Sequence, residues 1–215
     1  ALSARRSAIL LPTSPAFITA LAASEGRGAV LINPLASRFE AAYQIADANV
    51  GAVFTTTELV GRLPDHVARV ILDDVPRSAF VMAEGAFRHI DLGSHWGLTL
   101  EGEVDTLGSR EEAAIVYTSG LDGTPLGAIL THANLLSNAR ATIEAARMDR
   151  DVRALAVLPF AHLFGLVVSG VAPLLAGGRV SVRSSATMTP SPGSAAMNSR
   201  SSSPRSRRSR TRRSL

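Results

Sequence analysis

Short β-branched runs alternate with stretches of helical spacing along residues 1–183, and this alternation limits the fold more than any other feature of the chain. Ala8 to Leu11 reads as a strand ending at Pro12. Ser14-Pro15 then reads as a helix start, with serine as N-cap and proline in the first turn, and Phe17, Ile18 and Leu21 form a helical face. Ala29 to Ile32 is a second strand, and Ser37 is expected to cap a second helix on which Phe39, Ala42, Tyr43, Ile45 and Ala46 share helical spacing. Further strands are expected at Gly51 to Thr55, Arg69 to Leu72, Ala113 to Thr118, Ala128 to Thr131 and Arg179 to Val182, with a buried strand at Ala154 to Leu158. Helices are expected from about His132 to Arg147 and over most of Gly165 to Leu175. The stretch from Arg77 to Gly108, which holds Trp96, reads as irregular, with one short strand near Phe87 to Ile90. Strands that alternate with helices in this way predict an α/β layer around a largely parallel sheet.

Composition changes abruptly after Arg183. Residues 184–215 contain eleven serines, seven arginines and three prolines but no acidic or aromatic residue. Such a segment cannot bury enough apolar surface to offset its ordering entropy, so it is expected to be disordered. The formal charge of +4 is local to this tail, because residues 1–183 set 15 arginines against all 18 acidic residues. A polyanion-binding role is one reading of the tail, although it lacks aromatic residues to stack on bases, and no specific nucleic-acid partner is predicted. A shifted reading frame in a GC-rich gene is the other, and the neighbouring frames of the gene would show it. Every basic residue is arginine and cysteine is absent, which rules out a lysine or cysteine nucleophile, a thiolate metal site and a disulfide framework. The longest apolar stretch, Leu163 to Leu175, is interrupted by Gly165, Ser169, Gly170 and Pro173 and predicts no membrane span. The first eleven residues lack the apolar region of a secretory leader, so a cytoplasmic location is expected.

The chemistry is concentrated in Ile115-Val116-Tyr117-Thr118-Ser119-Gly120-Leu121-Asp122-Gly123-Thr124-Pro125-Leu126-Gly127-Ala128, which continues through Leu130-Thr131-His132-Ala133-Asn134-Leu135. A strand delivers hydroxyls and three glycines into a tight turn, where backbone N–H groups can converge on an anion. A Gly-Thr-Pro-x-Gly turn is also a common hairpin turn. No Gly-Lys-Ser/Thr opens a helix, so this is not a Walker loop. His132 either touches ligand or belongs to a helix start, with Thr131 and Asn134 as capping residues. Asp122 alone does not make a metal site, and none is predicted.

The segment resembles the phosphate loop of the AMP-binding, adenylate-forming superfamily, which includes acyl-CoA synthetases, luciferase and nonribosomal peptide adenylation domains. The pattern is Thr-Ser-Gly-(Thr/Ser)-(Thr/Ser)-Gly-x-Pro-Lys-Gly followed by Thr-His-x-Asn. Thr118, Ser119, Gly120, Gly123, Thr124, Pro125 and Gly127 fit it, as do Thr131, His132 and Asn134. Pro159-Phe160-Ala161-His162-Leu163-Phe164-Gly165 resembles the Pro-x-x-His segment that lies near the acyl pocket in that family, and Ile9 to Pro15 and Asn33-Pro34-Leu35 resemble its early strands. His162 is thus either a substrate-binding residue or a hydrogen-bonded core residue.

The resemblance implies an α/β fold: part of the large N-terminal domain of an adenylate-forming ligase over residues 1–183, with a mixed, mostly parallel sheet and flanking helices. It implies ATP-dependent activation of a fatty or other apolar carboxylic acid to an acyl-adenylate, with Mg²⁺ as cofactor and coenzyme A as co-substrate. Thr118, Ser119, Gly120, Gly123, Thr124 and Gly127 would meet phosphate, and His162 the acyl group. Leu121 and Asp122 replace the two apical hydroxyls and Leu126 replaces the lysine. A carboxylate about 4 Å from a phosphate charge costs on the order of 4 kcal/mol at an effective dielectric near 20. No Tyr-Gly-x-Thr-Glu or Thr-Gly-Asp segment is present, and no lysine is available to serve adenylation. No catalytic residue is therefore assigned, and the chain is expected to be inactive alone and prone to self-association. A non-catalytic nucleotide- or acyl-binding module is the alternative.

Overall fold

The alternating elements assemble into one eight-stranded sheet in the order β6-β5-β4-β3-β1-β2-β7-β8, together with a small two-stranded sheet. The computed structural model describes residues 6–24, 28–72, 78–83, 86–91, 111–118 and 124–182. β1 (Arg6–Leu10) leads through α1 (Pro15–Ala23) to β2 (Ala29–Leu31), and α2 (Arg38–Asp47) leads to β3 (Val50–Thr55). A 3-10 turn (Val60–Arg62) precedes β4 (Ala68–Leu72), after which come β5 (Ser78–Ala83) and β6 (Ala86–Asp91). β7 (Glu112–Thr118), β8 (Leu126–Thr131) and α3 (His132–Ala146) follow. β9 (Arg153–Ala156) and β10 (Arg179–Val182) form the second, parallel sheet. Between them lie α4 (Leu163–Leu166), a π-helical run (Val167–Val171) and α5 (Ala172–Leu175).

The central strands β4, β3, β1, β2 and β7 pair in parallel, whereas β5, β6 and β8 add antiparallel edges. Central strands covered on both faces need apolar side chains at successive positions. β1 and its continuation show the consequence of the two-residue period. Ile9 and Leu11 enter the core beneath α1, with Phe17, Leu31 and Phe160, while Ala8 and Leu10 enter the core beneath α2, with Val30, Ile32, Ile45 and Val53. Phe17 and Phe160 meet edge to face with centroids 5.7 Å apart, which ties α1 to the segment before α4. A third cluster joins α3 to the α4–α5 stretch through Leu135, Ala139, Val167 and Ala172. At the opposite end of β7 from the glycine loop, Arg6 donates to Glu112 Oε2 at 2.7 Å and spans β1 and β7.

Several expectations need correction. Ser14 occupies the α1 N-cap, but its hydroxyl donates to Pro12 O rather than accepting from the helix. Phe39 is 82% exposed; α2 turns Ile45, one of the expected residues, to the core together with Ala41. The short strand expected near Phe87 to Ile90 is β6, but the region expected to be otherwise irregular also holds β5, paired antiparallel with it; its remainder, including Trp96, lies outside the described residues. The expected buried strand at Ala154 to Leu158 is β9, of which only Ala156 is buried, because its edge faces outward and leaves Leu155 and Val157 exposed. Residues 184–215 lie outside the described residues.

Candidate functional site

β2 and β7 are adjacent and parallel, so their carboxyl ends open at the same edge of the sheet. That edge is where α/β folds bind ligands, because chain crossovers leave a crevice there. A cleft of about 410 Å³ occupies it, lined by Leu31 of β2 and Asn33 just after it, Val116 and Tyr117 of β7, Gln44 of α2, and Leu158, His162 and Phe164 among others. Thr118 ends β7 at the same edge and begins the glycine-rich loop.

β7 and β8 form a hairpin around that loop, with Thr118 opposite Leu126 and Tyr117 opposite Gly127. Of the Gly-Thr-Pro-x-Gly motif, Leu126 and Gly127 thus belong to the returning strand, and Gly123 lies outside the described residues. Ser119, Gly120 and Gly123, three of the predicted phosphate contacts, lie outside the described residues, as do Leu121 and Asp122. Thr118 Oγ1 donates to Leu126 O at 3.4 Å across the base of the loop, and Thr124 is exposed where the chain returns. Gly127 has a packing reason to lack a side chain: a Cβ there would lie 3.2 Å from Tyr117 Cζ and 3.1 Å from Ile115 Cγ2. Leu126, at the position where the superfamily pattern has lysine, is 63% exposed.

Two residues of α2, not singled out by any motif, hold this hairpin. Tyr43 OH donates to Pro125 O at 3.1 Å, and Tyr117 OH donates to Asp47 Oδ2 at 2.5 Å. The Tyr43 and Tyr117 rings meet edge to face at 6.3 Å. Partial burial pushes the Tyr117 hydroxyl well above the usual phenol range, and the acceptor carboxylate of Asp47 adds to that, so it remains a donor. The available signal was the i, i+4 spacing of Tyr43 and Asp47, which places them on one helix face.

His162 sits at the N-cap of α4, where its Nδ1 accepts from Phe164 N at 3.3 Å. An imidazole accepting at Nδ1 carries its proton on Nε2, which makes Nε2 a donor suited to a carboxylate or carbonyl oxygen. The ring is exposed on the cleft wall, which disfavours the buried-core reading. Thr13, after β1, secures the segment: its Oγ1 accepts from Phe160 N at 3.1 Å and donates to Leu158 O at 3.4 Å. His132 is not at this cleft. It opens α3, where Thr131 and Asn134 form a reciprocal capping box, with Asn134 N donating to Thr131 Oγ1 at 3.2 Å and Thr131 N to Asn134 Oδ1 at 3.0 Å. No group of three metal-binding side chains occurs among the described residues, and no helix among them is long and apolar enough to cross a membrane.

The cleft therefore combines apolar walls with an imidazole donor, and one wall includes Tyr117, the residue before Thr118. The chain is similar to known proteins in sequence and in fold. The family described as AMP-binding enzyme matches residues 3–198. A 4-coumarate–CoA ligase-like protein of Oryza sativa subsp. japonica is 33% identical over 193 residues, covering 81% of this chain and 32% of that protein. Novobiocin biosynthesis protein H of Streptomyces niveus is 33% identical over 153 residues, covering 69% of this chain and 24% of that protein. ATP-bound MatB from Rhodopseudomonas palustris superposes with a TM-score of 0.64 at 23% identity, over 84% of this chain and 35% of that one, a likeness of fold. The chain thus spans about a third or less of the length of these curated relatives.

Proposed function

The chain belongs to the AMP-binding enzyme family, and from that premise we propose that residues 1–183 are part of the large domain of an ATP-dependent acid–CoA ligase. In that reaction a carboxylate oxygen attacks the α-phosphorus of ATP and pyrophosphate leaves. The thiol of coenzyme A then attacks the acyl carbon and AMP departs. The observation that carries the reading is that Tyr117, next to Thr118 at the end of β7, lines the same cleft as His162 at the carboxyl ends of β2 and β7.

On this reading Thr118 and Thr124, with Ser119, Gly120 and Gly123 between them and Gly127 behind, meet the phosphates of Mg·ATP. The His162 Nε2–H donates to the acid. The walls of Leu31, Val116, Leu158 and Phe164 suit an apolar acyl or aryl group better than a charged one. Family members described as feruloyl-CoA synthase and as fatty-acid–CoA ligase are compatible with either kind of apolar acid.

The chain alone lacks the means to stabilise charge as the adenylate forms. It has no lysine, Leu126 occupies the loop position that would carry one, and Asp122 adds negative charge beside the phosphates. Preorganised positive charge at such a centre is usually a large part of catalysis. We therefore assign the chain by itself a binding role without turnover.

Two measurements on the purified chain test this. ATP–pyrophosphate exchange with a panel of fatty and aryl acids is expected to stay at background, and exchange above background would overturn the absence of turnover. Equilibrium dialysis with a labelled apolar acid is expected to show binding that His162→Ala weakens about fivefold, the worth of one hydrogen bond. No binding, or binding indifferent to His162, would remove the cleft assignment.

A further inference from the structure

We propose that Tyr43 and Asp47 of α2 are positioning residues that fix the two ends of the phosphate loop relative to the cleft; this rests on the phosphate reading above. The loop leaves β7 beyond Tyr117 and returns at Pro125, and α2 grips both points. Asp47 takes the Tyr117 hydroxyl on the outgoing limb, and Tyr43 gives its hydroxyl to Pro125 O on the returning limb. Pro125 has no N–H, so its carbonyl is the only hydrogen-bonding group its backbone offers.

The remaining contacts make this a fitted joint. The two tyrosine rings cross at 80°, and Gly127 leaves room for the Tyr117 ring to lie against the returning strand. Apart from its pairing with β7, β8 is held at its far end, where Leu130 packs against the core. It is the edge strand of the sheet, and residues 126–129 are all exposed. An edge strand bonded on one side opens more readily than a central one. Tyr43 supplies an attachment at the near end, through Pro125 just before β8, while Asp47 holds the paired limb through Tyr117 of β7. They also link the loop to Gln44, which lies on the same helix and lines the cleft, so the acyl side and the phosphate side share one support. Accurate placement of donors matters because a preorganised anion site loses affinity when its donors must be ordered on binding.

The test uses the full chain and two readouts. The first is amide hydrogen exchange without ligand. Tyr43→Phe keeps the ring and removes the hydroxyl; it is expected to speed exchange of Leu126–Thr131 amides about fivefold while β1 and β3 amides keep their rates. Asp47→Ala is expected to do the same, and Asp47→Asn, which retains an acceptor for Tyr117, to restore slow exchange. The second readout is Mg·ATP affinity in a chain carrying Leu121→Thr, Asp122→Thr and Leu126→Lys, in which Tyr43→Phe is expected to weaken binding about fivefold, matching the exchange effect. Unchanged exchange in Tyr43→Phe and Asp47→Ala overturns the proposal. Faster exchange with unchanged Mg·ATP affinity also overturns it, by showing that the contacts hold the hairpin without serving the loop. A rebuilt chain that binds no Mg·ATP overturns the phosphate reading instead, and the ligand-free exchange data tell that failure from a failure of the anchor.

Discussion

A Cβ placed on Gly165 would lie 2.3 Å from the carbonyl oxygen of Pro159 and 3.0 Å from its carbon. These are backbone atoms, so the clash cannot be relieved by rotating a side chain. His162 N also donates to Pro159 O at 3.0 Å, and Leu166 N donates to His162 O at 2.9 Å, which locks the turn around the missing side chain. The glycine of the Pro-x-x-His segment is thus required by the fold of the turn that presents His162, whatever the imidazole does. Gly165→Ala is expected to cost about 1–3 kcal/mol, the usual range for overpacking. Chemical denaturation would show it as a lower midpoint with an unchanged slope; an unchanged midpoint would mean that the turn relaxes freely. Gly127 is a milder case, since a Cβ there meets the side chains of Tyr117 and Ile115 rather than backbone.

At the scale of elements, α2 is the best-specified helix and also the one whose role was least visible. Ser37 Oγ accepts from Glu40 N at 3.2 Å, and the Glu40 carboxylate accepts from Ser37 N at 2.7 Å. The bond from the Ser37 backbone, aided by its hydroxyl, holds the Glu40 carboxyl below the usual glutamate range. A lowered pKa in the folded state means that this stabilisation is complete above the unfolded-state value and disappears as pH falls through the folded-state value. Wild type is therefore expected to be more stable than Glu40→Gln near neutral pH, with the two converging in acid. Ser37→Ala should cost about 1 kcal/mol across the range. Parallel stability curves for wild type and Glu40→Gln at every pH would contradict the capping geometry. The box was partly legible because serine capping is a local pattern. The core face of α2 was legible at Ile45 but not at Phe39, which has the right spacing but is exposed in the first turn, while small Ala41 takes the buried place. Of the β5–β6 hairpin, β6 matches the strand expected near Phe87 to Ile90, and only β5 was not anticipated, although Ala79 to Ala83 is a continuous apolar run.

For the whole molecule, the α/β class and the parallel core followed from alternation alone, because covered parallel strands must be apolar at every position. The positions of Thr118 and His162 along their elements could also be read, since both lie in dense local patterns. Their common placement beside one cleft could not be read from the residues themselves. It depends on β2 lying between β1 and β7, and on Thr13 fastening residues 158–160 to the end of β1. Tyr43 and Asp47 were silent for the same reason, being 82 and 70 residues away in sequence from the groups they hold. Set against the superfamily pattern that the loop resembles, the departure is electrostatic: Leu126 stands at the lysine position and Asp122 brings a carboxylate. The most direct test of that claim is thermal unfolding with and without Mg·ATP, comparing the natural chain with one carrying Leu121→Thr, Asp122→Thr and Leu126→Lys. Ligand that binds only the native state raises the melting temperature in proportion to its occupancy. The account predicts a cooperative transition in both chains, moved little by Mg·ATP in the natural one and raised in a dose-dependent way in the rebuilt one. Equal shifts in the two chains, or none in the rebuilt one, would contradict it.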